Sequence, residues 1–234
     1  MPLTTVPVRR VDQATPRTRH LHLEIADGAF PFVAGQAVMV GLHGSPLRKP
    51  YSIASAPWEV AKTGVLQLLI QVDDGGALDP HLELAAPGAL IDLDGPFGAF
   101  GLPAPAEHTP LLLVAGGTGI APLRSMLMDR LSRPSVPAIA LVYSARSAQE
   151  FAYRAELDAL VQAGRLTAQF TVTRSDADSW AGRRGRIQED LLRLALPSLE
   201  AHCLICGPPQ LVEDTRVLLW RAGVREARIL SDHY

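Results

Sequence analysis

The chain has 234 residues, 47% hydrophobic and 20% charged, with a formal net charge of −2. That composition describes a folded chain able to bury a core, long enough for one large domain or two of ordinary size. The charge balance excludes a general nucleic-acid binder, whose affinity needs many phosphate-neutralising cations. No apolar run approaches the ~20 residues of a membrane-spanning helix, and the opening Met-Pro-Leu-Thr-Thr-Val-Pro lacks a basic-then-apolar signal pattern. The expected compartment is cytoplasmic, with no nucleic-acid or membrane partner.

The first hundred residues read as short strands. Leu21, Leu23 and Ile25 alternate with His20, His22 and Glu24, a half-buried strand pattern that puts both histidines on a solvent face. Further β-like runs are Gln36–Leu42, Leu47–Ala54, Val65–Val72 and Ala89–Leu93. Several short strands with turn residues between them predict a closed or nearly closed antiparallel β-barrel. One helix is expected within it, from about Pro80 to Ala86, capped by Asp79 and started by proline.

The breaker-rich stretch Gly101–Pro110 reads as a linker, which sets domains at 1–103 and 109–234. Beyond it strands and helices alternate. The strand ending at Gly116 precedes a helix with Leu123, Met126, Leu127 and Leu131 on one face. Strand Ala138–Tyr143 is followed by a helix carrying Phe151, Leu157, Leu160 and Val161. Strand Leu166–Thr173 precedes a helix with Ile187, Leu191 and Leu194. Strand Cys203–Cys206, a helix with Leu211, Thr215 and Leu218, and strand Ala227–Leu230 complete the series. The rhythm predicts a doubly wound parallel sheet that binds ligands at its strands' carboxyl ends.

At the first of those strands, Leu112-Leu113-Val114-Ala115 runs into Gly116-Gly117-Thr118-Gly119-Ile120-Ala121-Pro122. Glycines let backbone approach a ligand, and the following helix start offers free N–H groups to a phosphate. Pro122 suits the first turn, where its missing donor is not needed. The spacing Gly-x-Gly-x-x-Pro lacks the third glycine of the dinucleotide fingerprint, and no P-loop lysine follows. On its own the segment fits a dinucleotide site or a plain strand–helix turn equally.

Cys203 and Cys206 are the only cysteines. Residues three apart on a strand face opposite sides and do not readily bridge. The chain has too few thiols for a four-thiolate iron–sulfur cluster, so no metal site is expected and any electrons would travel on an organic cofactor.

Taken in order, Arg48-Lys49-Pro50-Tyr51-Ser52-Ile53-Ala54-Ser55, Gly95-Pro96-Phe97-Gly98, Gly116–Pro122, Tyr143-Ser144-Ala145-Arg146 and Cys206-Gly207-Pro208-Pro209 resemble the ferredoxin–NADP(+) reductase superfamily. That superfamily includes flavodoxin and ferredoxin reductases, flavin reductases and oxygenase reductase modules. The resemblance implies an N-terminal FAD-binding barrel, a C-terminal NAD(P)-binding α/β domain and hydride transfer between the two cofactors. Tyr51 and Ser52 match the Arg-x-Tyr-Ser motif: the ring would stack on the isoalloxazine, and the serine hydroxyl would sit near flavin N5. Lys49 stands where the motif has arginine, with Pro50 between. Arg48 does not substitute, since neighbouring strand residues face opposite ways. In Gly76-Ala77-Leu78-Asp79 the family's hydroxyl residue at a phosphate-binding turn is replaced by aspartate.

In the second half the resemblance assigns Gly117, Thr118, Gly119, Pro122 and Gly207 to the nucleotide. Arg146, Thr173, Arg174 and Arg186 fall where NADPH-using relatives hold the 2′-phosphate, and arginine forks suit that geometry. Asp176 and Asp178 come a little later and would suit NADH instead. Cys206 takes the place beside the nicotinamide C4, and Asp232 with Tyr234 matches an acidic-x-Tyr terminus whose aromatic covers the flavin. Ser52, Cys206, Asp232 and Tyr234 are thus expected around the reacting atoms. The implied function is a flavin-dependent oxidoreductase passing electrons from NAD(P)H to ferredoxin, flavodoxin or an oxygenase component. A free-flavin reductase, or a non-catalytic nucleotide-binding subunit, are the alternatives.

Overall fold

The structure is a computed structural model and describes residues 3–26, 30–72, 78–79, 81–103, 108–174 and 180–233. The chain divides into two compact units, Met1–Leu102 with Arg124–Arg130, and Pro103–Leu123 with Leu131–Tyr234.

The first unit is built on six strands: β1 Thr4–Thr15, β2 Thr18–Glu24, β3 Ala37–Leu42, β4 Lys49–Ser52, β5 Val65–Gln71 and β6 Leu90–Phe97. They form one antiparallel sheet in the order β4-β3-β6-β1-β2-β5. An antiparallel bridge between Ile53 and Leu68 joins the two edges, so the sheet closes into a barrel. Closure removes the unpaired edges that an open sheet would expose. Strand β1, absent from the sequence-based expectation, spans both halves: Thr4–Pro7 pair with β6, and Val8–Thr15 pair with β2 after an irregularity at Val8/Arg10. Alternate residues Val6, Val8, Leu21, Leu23, Val38, Val40, Leu66, Leu68, Ile91 and Leu93 fill the interior.

Two expectations for this unit fail. The segment after Asp79 is not a helix in its described part: His81–Leu84 form turns, with Leu82 N–H donating to the Asp79 carbonyl and Ala85 N–H to that of Leu82. Bonds of this short reach turn the chain so that His81 and Leu82 both plug the barrel, at 1% and 0% exposure. Pro80 lies outside the described residues. The helix present instead is α1, Pro57–Thr63, begun by proline, with the Glu59 carboxylate accepting from the Ala56 N–H at 2.7 Å. The histidine face of β2 is also half-covered rather than solvated: His22 lies 3.2 Å from Asp12 and 3.4 Å from the Arg10 guanidinium.

The second unit holds β7 Leu111–Gly116, the start of α2 Ile120–Leu131 (whose Arg124–Arg130 group with the first unit), β8 Ile139–Ala145, α3 Arg154–Gln162, β9 Thr167–Val172, the two-residue β10 Arg183–Arg184, α4 Glu189–Ala195, β11 His202–Gly207, α5 Pro209–Arg221 and β12 Ile229–His233. All neighbours in its sheet, order β10-β9-β8-β7-β11-β12, run parallel. This is the doubly wound α/β arrangement, and strand order reverses at β7 with β11 beside it. Every residue of β7 and of β8 is buried, as a sheet covered on both faces requires. Helix α2 is buried nearly all round, including Arg124, Ser125 and Arg130, and not only along the predicted apolar face. Phe151 is core but precedes α3, because Tyr153 takes a left-handed backbone (φ 60°) at the helix start. Ile187 precedes α4, and Leu192, not the 65% exposed Leu194, joins the core.

Candidate cofactor-binding sites

In the first unit the site grows from β4. Lys49 and Tyr51, two apart on β4, project from one strand face and meet Asp79 and His81 respectively. Lys49 is ion-paired to Asp79, with both side chains nearly half-exposed. The Tyr51 hydroxyl and His81 Nε2 are 2.9 Å apart, with the two rings near parallel at 5.7 Å. Burial pushes the Tyr51 phenol above its ordinary value and His81 below it, so the imidazole is neutral near pH 7. His81 Nδ1 is buried and finds no hydrogen-bond partner among the described residues. Arg48 points elsewhere, donating to Asp92 at 3.1 Å. Pro50 is exposed, Ser52 is half-buried in register with Ala37, and Leu78 packs against the barrel core. Gly76 and Ala77 lie outside the described residues.

An orphaned buried nitrogen, a lysine and two half-buried polar side chains on one strand end fit the polar part of a flavin. When bound, FAD accepts a hydride and returns electrons.

In the second unit the glycine turn crosses the sheet's switch point. Gly117 sits at φ 54° and begins the 3₁₀ turn Gly117–Gly119 that opens α2. A Cβ on Gly119 would lie 2.2 Å from the Cys206 carbonyl oxygen and 2.8 Å from the Gly207 nitrogen, so backbone meets backbone there. The buried Tyr143 hydroxyl donates to the Gly117 carbonyl at 3.0 Å and steadies the turn. Thr118 is half-exposed above it and Pro122 is buried in the first turn. Cys206 is 3% exposed and in register with Asp232. Burial, then the Asp232 carboxylate, pushes its thiol up to about 12, so it stays protonated. Asp232 accepts from the His233 N–H at 2.9 Å. Both cysteines are free thiols. Tyr234 lies outside the described residues.

A second group gathers where β8, β9 and β10 end. Thr173 N–H donates to the Ala145 carbonyl and Arg174 N–H to that of Arg146, each at 2.9 Å. Those bonds lace the two loops together and leave Arg146 and Arg174 exposed side by side in sequence register. Arg186 follows Gly185, whose N–H donates to Val172, but its guanidinium lies 3.9 Å from Asp214 on α5. Asp176 and Asp178 lie outside the described residues.

Two contributors escaped the sequence reading. His81 stood inside a segment already quoted, but a lone histidine has no periodicity to mark it. Tyr143 stands within a motif of the resemblance but is given no role of its own there.

A closed barrel and a glycine-turned parallel sheet are together the architecture of flavin- and pyridine-nucleotide-dependent oxidoreductases. Residues 6–101 match the oxidoreductase FAD-binding domain family and residues 113–217 the oxidoreductase NAD-binding domain family. The chain is 36% identical over 219 residues to ferredoxin–NADP reductase B of Sorangium cellulosum, covering 87% of this chain and 86% of that one. It is 30% identical over 232 residues to a ferredoxin–NAD(P)(+) reductase component of the naphthalene 1,2-dioxygenase/salicylate 5-hydroxylase systems of a Ralstonia species, covering 97% and 67%. Among solved structures, the Amycolatopsis cytochrome P450 reductase GcoB superposes with a TM-score of 0.83 at 28% identity, over 99% of this chain and 70% of that one. The chain belongs to the ferredoxin–NADP(+) reductase family. It is an FAD-dependent NAD(P)H oxidoreductase.

Among the described residues, no helix is long and apolar enough to cross a membrane and no cluster of metal-ligating side chains occurs.

Proposed function

We propose that the protein draws hydride from NADPH onto FAD and delivers the electrons to ferredoxin, flavodoxin or an oxygenase component in the cytoplasm. Residues 1–103 serve as the FAD domain and 109–234 as the NAD(P) domain. What carries the nucleotide reading is the laced pair of loop ends that presents Arg146, Thr173 and Arg174 together beyond β8 and β9. Two guanidiniums and a hydroxyl suit a phosphate dianion better than a bare ribose diol. Arg186 contributes by exchanging its long contact with Asp214 for the phosphate. Relatives whose names pair ferredoxin with NADP or NAD(P) support the same direction.

In this reading Gly117, Thr118, Gly119 and Gly207 let the nucleotide approach the backbone at the switch point, and Pro122 keeps the first turn free of a surplus donor. Cys206 lines the nicotinamide place as a neutral, compact thiol, with Asp232 behind it and Tyr234 at the flavin. Lys49, Tyr51 and Ser52 hold the flavin, with Pro50, Gly76, Ala77 and Leu78 shaping its phosphate turn. Hydride transfer then depends on positioning rather than on an acid–base dyad.

The test is anaerobic rapid mixing with each nucleotide, scored at the flavin band near about 450 nm, in the parent chain and in Arg174→Ala. Faster bleaching with NADPH than NADH, lost in the variant, is expected. Equal rates in the parent would remove the 2′-phosphate assignment, and no bleaching with either would leave a nucleotide-binding subunit.

A further inference from the structure

Asp79 presents a contradiction if its neighbourhood receives a flavin phosphate, because a carboxylate there repels the ligand. The geometry around it supplies two partners rather than one. Its Oδ2 is ion-paired to Lys49 Nζ, and the same oxygen stands 4.0 Å from His81 Nδ1. The His81 side chain is fully covered, its Nε2 occupied by the Tyr51 hydroxyl and its Nδ1 left without a hydrogen bond among the described residues. A buried polar nitrogen without a hydrogen bond is costly, and the Asp79 oxygen at 4.0 Å stands just beyond bonding range.

We propose that Asp79 is a two-position carboxylate: it neutralises Lys49 in the free protein and turns to His81 Nδ1 when a flavin phosphate takes Lys49. Resting on the assignment of FAD to the barrel, this deepens it. In the free state the pair masks the cation that the phosphate needs. In the bound state Lys49 faces the phosphate, and Asp79 accepts from Nδ1–H while the Tyr51 hydroxyl donates to Nε2. The proton on His81 is thereby fixed at Nδ1, and Tyr51 is held at the flavin edge by a Tyr–His–Asp chain. The substitutions at 49 and 79 are thus one coupled change, and their consequence is a small contribution of the phosphate to flavin affinity.

The experiment compares riboflavin, which lacks phosphate, with FMN, using the full-length chain stripped of flavin and reading quenching of flavin fluorescence. The ratio of the two dissociation constants isolates the phosphate. The parent should show a small ratio. Asp79→Ser should raise it about fivefold, the upper end for releasing an exposed ion pair. Lys49→Met should bring it to unity. Imidazole nitrogen resonances of labelled protein supply the second readout: His81 Nδ1–H should move downfield with FMN but not with riboflavin, and with neither in Asp79→Ser. A ratio unchanged by Asp79→Ser, or an Nδ1 response identical for the two flavins, overturns the proposal while leaving the flavin site intact. Failure of both flavins to bind overturns the flavin site and the proposal with it.

Discussion

Gly119 has no room for a side chain. Its missing side chain is replaced by the Cys206 carbonyl, and both sides of that contact are backbone. Gly119→Ala should therefore destabilise the second unit by roughly 3 kcal/mol, a fall in Tm of about 2–4 °C per kcal/mol for a chain of this size, and should weaken nucleotide binding. Thermal melting and an NADPH titration check both. Cys203 and Cys206 make the opposite kind of residue-level prediction. Burial pushes each thiol up to about 12, so neither should react with an aromatic disulfide reagent in the folded protein at pH 7–9, and both should react in denaturant. Asp92 is a third case. Burial alone would raise its pKa, yet hydrogen bonds from His43, Thr5, Arg48 and the Gly44 N–H bring it to about 2. Because the folded value lies below the ordinary carboxylate value of about 3.9, its stabilisation is complete above that pH and drains away as pH falls towards 2. Asp92→Ala should remove roughly 2–3 kcal/mol and flatten the acid limb of a stability–pH profile.

Among the elements, β2 adds a pH dependence at milder acidity than that of Asp92 on β6. Its inward residues Leu21 and Leu23 are fully core, while His20 on the other face is still buried enough to titrate at about 4, with burial the main cause and His22 the next. An unfolded histidine titrates near about 6.5, so the unfolded chain binds this proton first. Stability contributed by neutral His20 is present above that value and is lost as pH falls to 4. His20→Gln should make the barrel less sensitive to acid in that window, as urea titrations at several pH values would show. The turn at 81–84 sets the placement of His81 and Leu82. A helix would have carried His81 and Leu82 around its axis. Successive short-range turns instead bury both against the barrel, leaving Asp79 at the rim with Lys49.

For the molecule as a whole, two cofactors stabilise what they bind. FAD at about a hundred times its dissociation constant should add about 2.7 kcal/mol to unfolding, and NADP+ should raise Tm further in proportion to its own occupancy. Differential scanning calorimetry with each ligand checks this. A chain whose Tm ignores FAD at saturating concentration would not hold it as a site ligand. The division into units at Leu102/Pro103 has one irregularity: Arg124–Arg130, from the middle of α2, is counted with the first unit. Within that unit the Arg124 guanidinium grips the Glu59 carboxylate through two bonds of 2.9 Å and donates to the Ala54 carbonyl.

Local patterns carried much of this. Alternation along β2, β3 and β5, the continuous apolar runs of β7, β8 and β11, and the glycine turn after β7 are short-range signals, because a strand's faces and a turn's backbone needs are set by adjacent residues. They sufficed for a barrel followed by a parallel sheet and for the glycine turn with Gly117 and Gly119, whereas Tyr51, Ser52 and Cys206 became candidates through the family resemblance. Contacts between distant residues left no such trace. Closure of the barrel depends on Ile53 reaching Leu68, and the partnership of Lys49 with Asp79 spans thirty residues. Neither the orphaned nitrogen of His81 nor the cover over His20 and His22 can be read along the chain. Each arises only when strands far apart in sequence are brought side by side, since burial and ion pairing depend on distance in space.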